Sequence, residues 1–314
     1  MPQKIAVITG PTATGKTKLG VLLSLRLGGE VVSADSMQVY RRMNIGTAKP
    51  SVEERQGVPH HLLDVAEPGE RFSVSRYVAL ASAACDDILA RGKLPIIVGG
   101  TGLYIDSLIS GRSFADSPTD GECRSELNER YDELGGAAML REIIQFDPER
   151  AAKLEPGDKK RVVRAYEVWL LTGKTITEHD RETKLLPPRY DACTLALDYS
   201  DRADLYSRID ARVDAMLAEG LFDEVRALLR EGLSPACTAM QAIGYKESAA
   251  ALAGEITAED AAERIRRESR RYAKRQLTWL RAKPEVEWIR WEKIPDFDSA
   301  LRVSTEFLSL HGIK

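Results

Sequence analysis

Residues 4–17, Lys-Ile-Ala-Val-Ile-Thr-Gly-Pro-Thr-Ala-Thr-Gly-Lys-Thr, constrain this chain more than any other stretch. A short apolar run, Ile5 to Ile8, leads to Gly10, and Gly15-Lys16-Thr17 follows that glycine after four intervening residues. This is the spacing G-x-x-x-x-G-K-[ST] of a phosphate loop, which needs a strand before it and a helix after it. Both are legible. Ile5, Val7 and Ile8 read as a buried strand, and Lys18 to Leu27 carries an apolar stripe (Leu19, Leu22, Leu23, Leu27) stopped by Gly28-Gly29. Gly10 and Gly15 let the backbone aim its N–H groups into a concavity, which with the helix N-terminus forms an anion nest. The expected phosphate cradle is therefore Gly10, Pro11, Thr12, Ala13, Thr14, Gly15, Lys16 and Thr17. Lys16 supplies a mobile positive charge, and the Thr17 hydroxyl is placed to ligate Mg²⁺.

A chain of 314 residues makes one large domain or two ordinary ones. With 43% apolar and 30% charged residues it reads as soluble and globular. The N-terminal apolar run is too short for a signal peptide, and no stretch reaches the length of a membrane span, so a cytoplasmic protein is expected. Cys85, Cys123, Cys193 and Cys237 are widely spaced and read as buried thiols in a reducing compartment, not as a zinc site. The net charge of −3 conceals a basic block. Residues 264–283 hold nine Lys and Arg against the single acid Glu268, nine minus one or +8.

Strands are expected at 30–35, ending in Asp35, and at 95–98, opening into Gly99-Gly100-Thr101-Gly102. Residues 41–73 read as irregular, followed by a helix capped by Ser75 and running to Arg91. Strands alternating with helices imply a parallel sheet with helices on both faces. From Pro118 to Leu186 the pattern is helical alone, with helices at 122–134, 137–145, 148–154 and 158–171. A strand at 194–198, helices at 203–219 and 221–231, the basic helix 257–281 and an edge strand at 286–291 complete the chain. The expected fold is α/β, a P-loop NTPase-like parallel sheet with an inserted all-helical domain. Residues 1–117 and 188–314 make the core, and 118–187 the insert.

A phosphate loop alone admits a kinase, an NTPase, a GTPase or a diphosphate-handling transferase. The strand at 95–98 ends without the acid that would hold a hydrolytic metal. The loop, Asp35 and Thr101 all fall at carboxyl ends of strands and should line one crevice. Asp35 also suits a helix cap, and Thr101 a turn.

Several blocks together resemble the tRNA dimethylallyltransferases, also called tRNA isopentenyltransferases. They are Gly10–Thr17, Ser33-Ala-Asp-Ser-Met-Gln-Val-Tyr40, Asn44-Ile-Gly-Thr-Ala-Lys49, Pro59-His-His-Leu-Leu-Asp64, Val98-Gly-Gly-Thr-Gly-Leu-Tyr104, Lys160-Arg-Val-Val-Arg164, Arg212-Val-Asp-Ala-Met-Leu217 and Gln241-Ala-Ile-Gly-Tyr-Lys246. The likeness runs through nearly the whole chain in order. The chain lacks the C-terminal zinc-finger extension of eukaryotic members and so resembles the short bacterial form.

The resemblance implies transfer of a dimethylallyl group from dimethylallyl diphosphate to the N6 amine of the adenine 3′ of the anticodon, in tRNAs reading U-initial codons. Pyrophosphate leaves. The cradle 10–17 would then hold diphosphate, with Lys16, Thr17 and Mg²⁺ stabilising the departing charge. Asp35 would take the amine proton, Thr101 would bond the reacting adenine, and Arg212 would approach the diphosphate unless it merely pairs with Asp210 or Asp214. The implied tRNA contacts are Asp35, Ser36, Met37, Gln38 and Thr101; Arg124, Lys160, Arg161, Val162, Val163 and Arg164; and Gln241, Ala242, Ile243, Gly244, Tyr245, Lys246 and Glu247. Arg161 and Arg164 also suit a plain solvated helix face. The basic helix would follow tRNA phosphates with its arginines outward and its apolar side inward. His60-His61 reads as structural. The partners are tRNA, through its anticodon stem-loop, and dimethylallyl diphosphate, with no membrane and a monomeric enzyme. The rivals are an ATP-dependent metabolite kinase, a prenyltransferase acting on free adenine nucleotides, and a non-catalytic RNA-binding protein with a relic loop.

Overall fold

The structure is a computed structural model and describes residues 2–111 and 121–313. The chain divides into two compact units, Met1–Gly111 with Arg189–Lys314, and Arg112–Pro188. The expected junction at 117/118 lies outside the described residues.

In the first unit, β1 (Gln3–Thr9) sends alternate side chains into two different cores. Ala6 and Ile8 pack with Leu19, Leu23 and Leu197, while Ile5 and Val7 pack with Tyr77, Ala81 and Leu108. A strand buried on both faces belongs in the middle of a parallel sheet covered by helices. The chain continues through α1 (Lys16–Leu27), β2 (Glu30–Ser33), α2 (Val52–Arg55), β3 (His60–His61), α3 (Val74–Ala90), β4 (Pro95–Val98) and α4 (Gly102–Ser110). The helical unit follows with α5 (Gly121–Leu134), α6 (Gly136–Phe146), α7 (Pro148–Ala151), α8 (Lys159–Thr172) and α9 (Ile176–Leu185). It has its own core, built on Leu127, Met139, Ile143, Val162 and Tyr166. The first unit resumes with β5 (Tyr190–Tyr199), α10 (Arg202–Ala218), α11 (Leu221–Arg230), α12 (Tyr245–Leu252), α13 (Ala258–Arg281), β6 (Glu287–Trp291) and α14 (Phe297–Leu310). The six strands are all parallel, in the order β3-β2-β4-β1-β5-β6. The phosphate loop therefore leaves the middle of the sheet, with neighbours on both sides to build a site.

The structure corrects several expectations. The helix after the irregular region is capped by Ser73, whose side chain accepts from the Arg76 N–H, and not by Ser75. The region 41–73 is not wholly irregular, since α2 lies within it and His60-His61 pairs with Val31-Val32. That pairing explains the two histidines: His61 Nε2 meets Glu30 at 2.8 Å, and His60 Nδ1 meets the Val58 carbonyl at 2.8 Å. Helices α9, α12 and α14 carried no clear signal, and β2 stops at Ser33, leaving Asp35 in the turn beyond. Cys85 and Cys193 are buried, but Cys123 and Cys237 are only half-buried, and none forms a disulfide. Among the described residues no helix is long and apolar enough to cross a membrane.

Candidate active site

The loop's shape follows from its glycines. Gly10 has φ +137°, and a Cβ there would lie 2.3 Å from the Leu197 carbonyl oxygen, so only glycine lets β5 pass this close. Gly15 has φ +86°, and its Cβ would fall 2.6 Å from the ring of Phe297. The loop is braced from behind. Trp291 Nε1 donates to the Thr14 carbonyl at 2.9 Å, Thr14 Oγ1 donates to the Pro11 carbonyl at 2.8 Å, and Trp291 packs on Phe297. The first N–H groups of α1 have no acceptor within the helix and remain available to an anion. Thr12, Ala13, Gly15, Lys16 and Thr17 line a cavity of about 960 Å³. Gly10, Pro11 and Thr14 shape the loop from beneath it.

Three of the charged groups that line this cavity, Lys16, Arg212 and Asp35, influence one another's charge. Lys16 Nζ donates to the Pro11 carbonyl at 2.7 Å. Burial, and after it the nearby Arg212 guanidinium, push the Lys16 ammonium down to about 7, with Asp35 opposing. Arg212 comes from α10 and makes no ion pair with any described residue. Its expected alternative partners are taken, Asp210 by Arg270 (2.9 and 2.6 Å) and Asp214 by Arg266 (3.2 and 2.5 Å). These two pairs tie α10 to α13 and leave the Arg212 guanidinium to the cavity wall. They also amend the reading of the basic helix, because two of its arginines are internal ties. Burial lowers the Arg212 pKa, while Asp35 raises it.

Asp35 both caps and faces the cavity. Its Oδ1 accepts from the Met37 N–H (2.8 Å) and the Gln38 N–H (3.3 Å), while Oδ2 accepts from no described residue. Thr101 sits just behind the wall, its Oγ1 accepting from the Ser36 N–H at 3.1 Å, and Ser36 lines the cavity. Gln38 is a brace: its Nε2 donates to the Thr47 and Ala48 carbonyls, both at 3.2 Å. Met37 is half-buried against the core around Tyr40 and Tyr245.

The other expected contacts divide by burial. Ala242 and Ile243 line the cavity, as does Gln241, whose Nε2 donates to the Pro235 carbonyl at 2.8 Å. Gly244 donates its N–H to the buried Glu247 carboxylate at 2.8 Å, and Lys246 is exposed. Tyr245 is fully buried with its hydroxyl donating to Glu224 at 2.5 Å, so its side chain is structural. Within the helical unit Val162 and Val163 are core residues, and their side chains are closed to a ligand. Arg124 and Arg164 are held by one buried carboxylate, Glu167, at 2.6 and 2.7 Å, while Arg161 pairs with Asp158 at 3.2 Å. Lys160 is exposed with no ion pair among the described residues.

The sequence reading missed three supports. Glu224 accepts from the N–H groups of Asn44 (2.8 Å), Ile45 (2.9 Å) and Gly46 (3.3 Å), pinning the loop 44–49 that forms another wall. Tyr272 and Gln276 of α13 line the cavity from the side of β4, and burial pushes the Tyr272 hydroxyl up to about 12. Gln276 did leave a trace, as a polar residue in register with the buried stripe Ala273, Leu277 and Leu280. Glu224 left none.

Sheet order, loop geometry and a large cavity at the carboxyl ends of the strands define a P-loop α/β protein. Comparison with known proteins narrows this class. The chain belongs to the IPP transferase family, whose model matches residues 38–283, and the isopentenyl transferase model matches residues 3–67. It is 49% identical over 290 residues to a tRNA dimethylallyltransferase of Geobacillus thermodenitrificans, covering 92% of this chain and 90% of that one. It is 47% identical over 305 residues to the tRNA dimethylallyltransferase of Geobacter sulfurreducens, covering 97% and 96%. Its fold is similar to the crystal structure of full-length tRNA isopentenylpyrophosphate transferase from Bacillus halodurans, with TM-score 0.74, 43% identity and coverage of 98% and 96%. It is also similar to a eukaryotic dimethylallyltransferase acting on tRNA, with TM-score 0.84, 31% identity and coverage of 99% and 81%.

Proposed function

We propose that the protein transfers the dimethylallyl group of dimethylallyl diphosphate to N6 of the adenine 3′ of the anticodon in tRNAs reading U-initial codons, releasing pyrophosphate. One observation carries the reading: Lys16, Arg212 and Asp35 line one cavity, two basic groups where a leaving group would gather charge and a carboxylate with one free oxygen. The bond from the dimethylallyl carbon to the diphosphate oxygen breaks with its electron pair going to the diphosphate. The N6 lone pair forms the new carbon–nitrogen bond, and the N6 proton passes to Asp35 Oδ2. The loop N–H groups, Lys16 and Arg212 hold the developing diphosphate charge in a preformed array, where such groups stabilise it most.

The Thr17 hydroxyl, a hard oxygen donor on the cavity wall at the foot of the loop, suits Mg²⁺, which binds through one or two protein oxygens plus phosphate. The ion would supply further charge neutralisation to the leaving group. Val98 runs into Gly99 and Gly100 with no acid, consistent with a reaction that needs no hydrolytic water. The adenine has to leave its stack, at a few kcal/mol, and contacts to the extruded base and its neighbours offset this. Ser36, Gln241, Lys246 and the basic face of α13 are the proposed grips in the first unit, and Arg124, Lys160, Arg161 and Arg164 those of the helical unit. The enzyme acts as a cytoplasmic monomer.

Labelled dimethylallyl diphosphate, Mg²⁺ and either unmodified tRNA or AMP test the reading. Label should enter tRNA, vanish in Asp35→Ala and fall sharply in Lys16→Ala. Label entering AMP alone moves the protein to the free-nucleotide prenyltransferases. Transfer to neither overturns the proposal.

A further inference from the structure

The face of α13 turned to the site carries Tyr272, Gln276 and Trp279, spaced four and three residues apart and so stacked on one side of the helix. Gln276 is buried, and both ends of its amide are used. Its Oε1 accepts from the Thr12 N–H of the phosphate loop at 3.0 Å. Its Nε2 donates to the Gly100 carbonyl, next to Thr101, at 3.0 Å. The fit leaves no slack, since a Cβ on Gly100 would stand 2.1 Å from Gln276 Nε2. One residue beyond Thr101, Gly102 lies against Trp279, where a Cβ would stand 2.5 Å from the indole. The indole is fixed in turn by its Nε1 donating to Asp106 at 2.8 Å.

We propose that Gln276 is a positioning residue that locks the phosphate loop and the Thr101 loop into one register, setting where the diphosphate end and the amine end of the reaction stand relative to each other. The proposal rests on the transfer reaction proposed above. A carboxamide meets the demand, because it presents an acceptor to an N–H and a donor to a carbonyl at fixed spacing. A carboxylate keeps the acceptor but sets a negative charge against the Gly100 carbonyl. A thioether fills the space and offers neither. The two reactants are bound by different elements, so a misplacement of about 1 Å between them lowers turnover on the order of a hundredfold without loosening either one.

The test compares Gln276→Met and Gln276→Glu with the parent. Turnover per active site is measured at saturating tRNA and dimethylallyl diphosphate, together with the separate Kd values for tRNA and for pyrophosphate. The expected result is a kcat at least tenfold lower in Gln276→Met with each Kd within threefold of the parent. A smaller fall in kcat, or one matched by equal weakening of both Kd values, overturns the proposal. A change that only destabilised the fold would lower the melting temperature and the number of active sites but not kcat per site. If Gln276→Met does not fold, Gln276→Glu is judged by the same criterion. Amide exchange at Thr12 reads the contact without reference to catalysis: it should quicken in Gln276→Met and stay near the parent in Gln276→Glu. A parent that transfers nothing to tRNA would refute the functional reading, and Thr12 exchange would still decide the contact.

Discussion

Glu224 gives the sharpest test of how the cavity is built. Replacing it by alanine removes the shared acceptor of the Asn44, Ile45 and Gly46 N–H groups and of the Tyr245 hydroxyl. A hydrogen bond to a charged acceptor contributes about 1.5–3 kcal/mol net. Asn44 is exposed, so water can replace its bond, and the Gly46 contact is long. Ile45 and Tyr245, both sheltered, then account for about 3 kcal/mol at the low end of that range. Because 1.36 kcal/mol is a factor of ten, opening of the loop should become about 150-fold more frequent. Glu224→Gln should act more mildly. Its oxygen can serve Asn44 and Ile45 while its amino group donates to the Tyr245 oxygen, so about 1 kcal/mol, or roughly fivefold, is lost with the charge. Hydrogen exchange of a peptide spanning residues 43–49 reads both variants directly. Transfer should decline in the same order, since this loop lines the cavity. Exchange in Glu224→Ala within threefold of the parent would refute the reasoning and show that the bonds of Gln38 and Lys49 suffice to hold the loop.

Further outcomes are expected. Lys16 stands at about 7 before an anion arrives, and a bound diphosphate favours its charged form. Pyrophosphate binding above pH 7 should therefore draw in up to about one proton. Calorimetry in buffers of different ionisation enthalpy would show this uptake, and it should be absent in Lys16→Met. Glu30, buried under Arg91, Lys93 and His61, is held well below the usual carboxylate range, chiefly by its bond to Arg91. Its contribution is fully present above the unfolded value near 4.5 and is lost as pH falls toward the folded value. Glu30→Gln should thus melt lower than the parent at pH 7, with the gap closing below about pH 4.5 in a melting series. Neutralising Arg264, Lys274 and Arg275 together should weaken tRNA binding evenly across tRNA sequences. It should also reduce the slope of log K against log salt by about two to three, read by filter binding at graded salt.

The loop, the strand before it and the parallel sheet were legible because local rules determine them: glycine at left-handed positions, apolar runs for buried strands, and helical periodicity. The supports of the site were not, and the reason is distance along the chain. Glu224 meets Asn44 across 180 residues, and Trp291 meets Thr14 across 277. No short-range pattern marks a glutamate as the acceptor for a remote loop. The histidine pair misled nothing chemically, yet its edge strand is two residues long and beneath what alternation can detect. Ser73 and Ser75 offer the same capping chemistry, and which one caps depends on where the preceding chain enters the helix. Arg212 shows the converse. Its charged neighbours in sequence were visible, but only the fold reveals that α13 claims them.

The brace behind the phosphate loop has a consequence for how the protein comes into being. Residues 10–17 are among the first to emerge during synthesis, yet the backbone that shelters Gly10 belongs to Leu197, and the rings that fix Thr14 and back Gly15 belong to Trp291 and Phe297. β1 is flanked by β4 and β5, so the strand that carries the loop has no neighbour until β4 has been made and stays an edge strand until β5 follows. A growing chain thus holds its anion-binding segment in an unfinished state through most of translation, and ligand competence arrives late and all at once. Binding of pyrophosphate to stalled nascent chains of increasing length should appear only after α14 has cleared the exit tunnel.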